Sequence, residues 1–189
     1  KYLTRSLILN NYSQTYLSMP LGPKQKKIKT LELPAGRKWR VDMLNVLHAS
    51  YSKSSYYEDV RDDIEELLMF DCQYFYEFSI NIIYFFMKTL NIEKNCFIDK
   101  DFNKEFGEAN NRLINLCNEV KASKYLSGIG AKSYIDEDIF LKNEIDVVYQ
   151  DYFPRPYRQL SNEFIPGLSI IDVLFNCGYY ETEKLIKSS

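Results

Sequence analysis

A chain of 189 residues, 46% hydrophobic and 26% charged, with 16 Tyr, 12 Phe and 1 Trp, has enough apolar material for a sizeable core and is not a disordered polymer. The longest uncharged apolar run, Phe78–Met87, is far shorter than the about 20 residues of a bilayer span, which excludes a helical membrane anchor. The net charge of −2 is unevenly spread: residues 1–40 hold nine Lys/Arg against the single acid Glu32, and the remainder is net acidic. That division fits two readings, an anionic partner for the basic half or an acidic helix at 58–66 that faces it.

In chain order, Arg5–Leu9 and Thr15–Met19 read as two strands joined by the turn residues Asn10, Asn11, Tyr12 and Ser13. Pro20, Gly22 and Pro23 end the second. Lys24-Gln25-Lys26-Lys27 follows, a basic run too short and too poor in aromatics for specific nucleic-acid binding. Leu31 and Leu33 alternate with polar neighbours and predict a third short strand. Trp39, Met43, Val46 and Leu47 are spaced as on a helix. Ser55-Tyr56-Tyr57-Glu58 has the pattern of a capping box, ahead of an apolar stripe at Val60, Ile64, Leu67 and Leu68. Phe75–Leu90 is apolar nearly all round and predicts a central buried helix.

The second half alternates. Cys96–Ile98 predicts a short strand, and Leu113, Leu116, Cys117 and Val120 an amphipathic helix. Lys124–Ser127 predicts a strand that runs into Gly128-Ile129-Gly130. Ser133 and Asp136 cap a helix to about Lys142, and Ile145–Tyr149 is a β-branched strand. Ser169 and Asp172 form a second capping box, with Leu168 and Val173 as its staple, and Gly178 closes that helix. The expected architecture is α/β: a layered, partly parallel sheet flanked by helices, with an N-terminal β-hairpin and a helical middle segment. The expected organisation is one domain over 1–189, with a basic hairpin region at 1–36, a helical segment at 37–92 and an α/β segment at 93–189. The hairpin either extends the sheet or covers it as a flap.

Four Cys without a Cys-x-x-Cys pair, and a single His, argue against a zinc site and for free thiols. No metal or cofactor is implied. No catalytic residue can be named: His48 sits in a helical stretch with no evident Ser or Cys partner, and Asp62, Asp63, Glu65 and Glu66 read as a solvated face. Two features suit a ligand. Ser127, Gly128 and Gly130 lie where a strand meets a helix, a place for backbone N–H groups to meet an anion. Tyr149, Tyr152, Phe153, Tyr157 and Gln159, mixed with Arg155 and Arg158, suit sugars, bases or phosphate esters, or simple aromatic filling of a core.

The string Lys124-Tyr125-Leu126-Ser127-Gly128-Ile129-Gly130-Ala131-Lys132-Ser133-Tyr134, followed by Phe140, Ile145-Asp146-Val147 and Tyr157-Arg158-Gln159, resembles the WbqC-like protein family. So does Phe164-Ile165-Pro166-Gly167-Leu168-Ser169-Ile170-Ile171-Asp172-Val173-Leu174-Phe175-Asn176-Cys177-Gly178, the most specific block. Arg5, Ile8, Leu17–Leu21, Trp39, Tyr51 and Tyr56-Tyr57 agree more loosely. Members of the family usually open with a strand bearing a His-Gln-Pro motif, which is absent here, so a segment ahead of Lys1 is expected. Met43 stands where many members carry a His, and no role for that His transfers.

The resemblance implies a cytoplasmic transferase of bacterial surface-polysaccharide (O-antigen) biosynthesis, which moves a glycyl or other acyl group onto a nucleotide-linked amino sugar. In that reading Ser127, Gly128 and Gly130 form the anion- or carbonyl-binding turn. Tyr134, Tyr157 and Gln159 orient the sugar or donor, and Arg5 and Arg158 meet phosphates. Ser169, Asp172 and Asn176 are structural. The alternative is a non-catalytic module that binds a nucleotide sugar or a partner protein in the same pathway, and a third option is an acyl-adenylate-forming enzyme. An oligomer is compatible with either of the first two.

Overall fold

The computed structural model describes residues 5–21, 28–98, 102 and 104–188. The fold is mixed α/β and divides into two compact units, Lys1–Lys94 with Pro154–Ser189, and Asn95–Phe153. The Lys24–Lys27 run lies outside the described residues.

The first unit opens with strands β1 (Arg5–Asn10) and β2 (Ser13–Ser18), which pair antiparallel from Arg5↔Ser18 to Asn10↔Ser13. Asn11 and Tyr12 form the two-residue turn, both with positive φ (47° and 60°), the backbone that matches the twist of a hairpin. This hairpin is a sheet of its own, so the expectation that it extends the parallel sheet fails. The predicted strand at Leu31–Leu33 shrinks to a single bridge, Glu32↔Tyr74, flanked by Leu33 N–H to Gln73 O and Phe75 N–H to Leu31 O.

Three helices follow: α1 (Lys38–Tyr51), α2 (Tyr57–Met69) and α3 (Phe75–Thr89). The stripe Val60, Ile64, Leu67 and Leu68 is buried as its spacing requires. The Ser55–Glu58 capping box does not form: the N-cap of α2 is Tyr56, one residue later, and no side chain caps it. Trp39 meets Phe78 edge-on, and its indole N–H donates to Pro34 O at 3.2 Å. Arg40 is buried beside them. Its guanidinium lies over the Trp39 ring and donates to Leu68 O and Phe70 O, the free carbonyls at the C-terminal end of α2, where a cation is favoured. The helix α3 is not central. Only Phe75 and Phe78 are buried, and Ile83 and Tyr84 are exposed, because its apolar surface exceeds what the neighbouring elements cover.

The same unit ends with the helical stretch α4 (Ile170–Lys187). Ser169 caps it, its hydroxyl accepting from Ile171 N–H, while Ser169 N–H reaches across to Leu7 O at 2.7 Å. Gly178 ends the first helix of this stretch, as its sequence predicts, and a second helix follows at once. At φ 72° and ψ 178° it makes a sharp kink, after which the second helix runs to Lys187. Beyond the kink, the buried Thr182 hydroxyl donates to Gly178 O and Tyr179 donates to Asp63.

The second unit holds α5 (Ala109–Glu119), β3 (Lys124–Gly128), α6 (Glu137–Lys142) and β4 (Asp146–Gln150). The two strands pair in parallel from Lys124↔Asp146 to Gly128↔Gln150, with α6 in the crossover. Phe140, Ile114, Ile145 and Cys117 form its core. Asp136 caps α6 by accepting from Ile139 N–H at 3.3 Å, and Ser133 lies in the turn before it. The expected strand at Cys96–Ile98 is irregular chain.

Candidate functional site

The most developed polar cluster lies in the first unit and centres on Asp172, which has no exposed surface. As the third residue of α4, Asp172 is placed to close a capping box on Ser169. It turns inward instead, and the capping-box expectation fails because Leu7 O already takes the Ser169 N–H. Tyr51 at the end of α1 donates to Asp172 Oδ1 at 2.9 Å, and Tyr157 donates to Oδ2 at 2.7 Å. The Tyr51 hydroxyl in turn accepts the Leu9 N–H of β1 at 3.0 Å. Asn176, also buried, donates to Asp172 O at 2.8 Å. Gln159 supports the loop from the other side: it accepts from Ile165 N–H and donates to Ile165 O.

Burial raises the Asp172 carboxyl above the ordinary aspartate value, against the hydrogen bonds of Tyr157, Tyr51, Gln159 and Asn176, which favour the anion. The same burial, with the carboxylate alongside, pushes both tyrosine hydroxyls far up, so both stay protonated and act as donors. This arrangement fixes side chains and offers no base to solvent.

Beside the cluster runs an open groove of about 660 Å³. Tyr157 and Arg158 form one side, Ser55 and Tyr56 another, and Asn176, Cys177, Glu181 and Leu185 of α4 the third. Glu181 and Leu185 are four residues apart on the helix after Gly178 and share one face of it; Cys177 joins them in the lining from the helix before the kink. Tyr56 is pinned by its N–H to Phe175 O, and its ring lies against Gly178, where a Cβ would stand 2.7 Å from Cδ1. Cys177 is a free thiol, raised by burial and by Asp172 and Glu181, hence protonated at neutral pH. His48 lies elsewhere on α1, with Nδ1 2.8 Å from the Tyr57 hydroxyl.

Tyr157, Gln159, Asp172 and Asn176 are therefore brought together, with Arg158 on the groove beside them. Arg5 belongs to the same unit but stacks on Tyr16, 4.4 Å from the ring centre, and does not line the groove. Ser127, Gly128, Gly130 and Tyr134 fall in the second unit. Ser127 is buried, with its hydroxyl near Gly128 O. Gly128 ends β3 in an extended conformation, and a Cβ there or at Gly130 would meet open space. Tyr134 is 68% exposed and lines a shallow depression that also carries Asp136, Glu137 and Asp138, carboxylates that repel an anion. Tyr51, Ser55, Cys177, Glu181 and Leu185 escaped the sequence reading as site residues. The spacing of Glu181 and Leu185 is the available signal, and it belongs to a second helix after Gly178 that the sequence reading does not include. Among the described residues, no cluster of three His, Cys, Asp or Glu could hold a metal, and no helix is long and apolar enough to cross a membrane.

The WbqC-like protein family matches residues 1–184, and the chain belongs to that family. It is similar to the uncharacterized protein Rv1507c of Mycobacterium tuberculosis (strain ATCC 25618 / H37Rv), 47% identical over 68 residues. That stretch covers 35% of this chain and only 29% of the relative. No solved structure matches the chain.

Proposed function

We propose that this WbqC-like protein is a transferase of bacterial surface-polysaccharide biosynthesis, and that the Tyr157–Arg158 groove holds its nucleotide-linked amino sugar. One observation carries the reading: in the first unit a buried carboxylate is spent on holding Tyr157 in place at the edge of a groove that also presents Arg158. A tyrosine locked by its hydroxyl offers a rigid ring face to a sugar or base at little entropic cost. The exposed guanidinium beside it suits a phosphate, which it can meet with paired N–H donors. Among the described residues Arg158 has no ion pair that would compete.

The transfer itself joins the sugar amine to an activated glycyl or other acyl group. The nitrogen forms a C–N bond to the acyl carbon, the bond from that carbon to the donor's leaving group breaks, and the nitrogen's proton passes to the leaving group. In the second unit, taken by itself, Ser127, Gly128 and Gly130, with Tyr134, are proposed as a turn for a neutral carbonyl group, since Asp136, Glu137 and Asp138 beside Tyr134 disfavour an anion there.

A second reading has its own support. Burial holds the cluster and its neighbouring thiol in unreactive states: Asp172 is sealed, and Tyr51, Tyr157 and Cys177 are protonated. A non-catalytic module that binds the nucleotide sugar needs no more than this. Isothermal titration with a panel of nucleotide-linked amino sugars, then mass spectrometry of the same mixtures with acyl-CoA or an activated glycine, separates the two. Binding that Arg158→Ala weakens about tenfold, with an acylated product, supports the transferase. Binding without product supports the module. Failure of every nucleotide sugar to bind overturns both.

A further inference from the structure

We infer that Glu181 reads the free amine of the ligand, so that the groove selects a sugar carrying both an ammonium and a phosphate and rejects the same sugar once acylated. The inference rests on the proposed groove and adds to it a specificity determinant.

Among the described residues that line the groove there is one cation, Arg158, and one carboxylate, Glu181. They come from different segments, the loop after Pro156 and the second half of α4, so the groove presents one charge of each sign. A ligand with an anionic group and an ammonium can meet both at once, and a ligand lacking either leaves one unmet. Ser55 and Asn176 add uncharged hydrogen-bonding groups to the lining, and Tyr56, Tyr157 and Leu185 add flat apolar surface.

The backbone kink puts Glu181 in this position. Gly178 re-aims the helix, and the second half is then held by Thr182 against Gly178 O and by Tyr179 against Asp63. With those two residues committed to the interior, Cys177, Glu181 and Leu185 face the groove. Glu181 has a partner, Lys184 at 2.9 Å one turn on, but both side chains are about half exposed (52% and 53%). An exposed pair three residues apart on a helix is weak and exchanges readily for a cation delivered by a ligand. Lys184 keeps a second contact over the Tyr180 ring, 4.0 Å from its centre, so it is not stranded when Glu181 turns to the ligand.

The ammonium releases one proton to solvent, the free amine is then acylated with its next proton passing to the leaving group, and the product is a neutral amide with added bulk at the same nitrogen. The contact to Glu181 is then lost, and an acylated sugar leaves more easily than the amine enters. In the transferase reading this favours product release. In the module reading it makes the groove a sensor of the unmodified sugar.

The test uses three simple probes on the full chain: glucosamine 1-phosphate, N-acetylglucosamine 1-phosphate and glucose 1-phosphate, titrated calorimetrically into the wild type and Glu181→Gln. The wild type is expected to favour glucosamine 1-phosphate about tenfold over the other two, and Glu181→Gln to bring the three within about twofold of one another. Lys184→Gln, which removes the competing partner, should leave the preference intact or enlarge it. A preference that survives Glu181→Gln overturns the assignment, while nucleotide-sugar binding weakened by Arg158→Ala leaves the groove standing. Absence of any preference in the wild type overturns it too. If neither the three phosphates nor the nucleotide sugars bind, the groove itself is refuted, and the inference with it.

Discussion

Replacing Gly178 by Ala tests whether the groove is built as described. The perturbation has two parts. At φ 72° and ψ 178° the backbone sits where essentially only glycine is at ease, and a residue with a Cβ pays about 1–3 kcal/mol there. The new methyl also arrives 2.7 and 2.9 Å from Tyr56 Cδ1 and Cε1. That is about 1 Å inside ordinary carbon contact, an overlap whose relief costs about 1–3 kcal/mol. The sum is about 2–6 kcal/mol, a large share of the about 5–15 kcal/mol that holds such a chain folded. At this length each kcal/mol lowers Tm by about 2–4 °C, so a fall of about 4–24 °C is expected. Urea unfolding followed by the single, buried Trp39 reports on the first unit, where the change lies. Tyr56→Ala separates the two parts, because it removes the ring and keeps the Tyr56 N–H to Phe175 O bond. In that background Gly178→Ala should cost only the backbone share. A loss below about 1 kcal/mol, or the same loss in both backgrounds, refutes the close packing of Tyr56 on Gly178.

Two more outcomes follow from the cluster and the hairpin. The Asp172 carboxyl is raised in the folded chain, chiefly by burial, so between the ordinary value and the raised one the native state holds a proton that the unfolded state has released. Its contribution therefore makes stability fall as pH rises through that window, and the penalty vanishes below the ordinary aspartate value; Asp172→Asn should lose this slope, and wild-type and variant urea midpoints that run parallel from pH 4 to 8 refute it. In the hairpin turn, Tyr12 sits at φ 60° with 72% of its surface exposed, so Tyr12→Gly relieves left-handed strain and gains about 0.5–1 kcal/mol after the entropy cost of glycine; a lower midpoint in urea contradicts the assigned turn.

Local signals carried most of the elements. The hairpin was legible because Asn10 to Ser13 interrupts two apolar-alternating runs, and α2 because Val60, Ile64, Leu67 and Leu68 repeat at helical spacing. Reading failed where a residue has two local uses and a distant partner chooses between them. Ser169 and Asp172 have capping-box spacing, but Leu7 O claims the Ser169 N–H and Tyr51 claims the carboxylate, from well over a hundred residues upstream. Gly178 reads as a helix end because glycine tolerates positive φ. That end is real; what no local pattern shows is the second helix that starts at once beyond it, with the Tyr56 ring packed on the kink and Tyr179 and Thr182 as its anchors. Composition overstated the burial of α3, because apolar content does not say how much surface the neighbours can cover. Of the expected site residues, Tyr157, Arg158 and Gln159 mark the groove region, but its helix side follows from the kink, which no short window of sequence shows.

The buried Asp172 is the clearest sign that this region is built for more than stability. A carboxylate sealed from water, with tyrosines and amides rather than a cation among its described partners, costs folding energy that apolar side chains of the same volume would not. What it gives in return is position. Leu9 N–H, the Tyr51 hydroxyl, the carboxylate and the Tyr157 hydroxyl form one chain of hydrogen bonds from the hairpin to the edge of the groove. Apolar packing could bury these segments against one another, but it would leave Tyr157 free to slide. The two hydroxyls donate to different carboxylate oxygens, so neither tyrosine can shift without unmaking a bond in a site that water does not reach. The groove edge is thus tied to β1 and α1, elements far from it in sequence. A change at Leu9 or Tyr51 that leaves the fold intact should then be felt by whatever the groove binds.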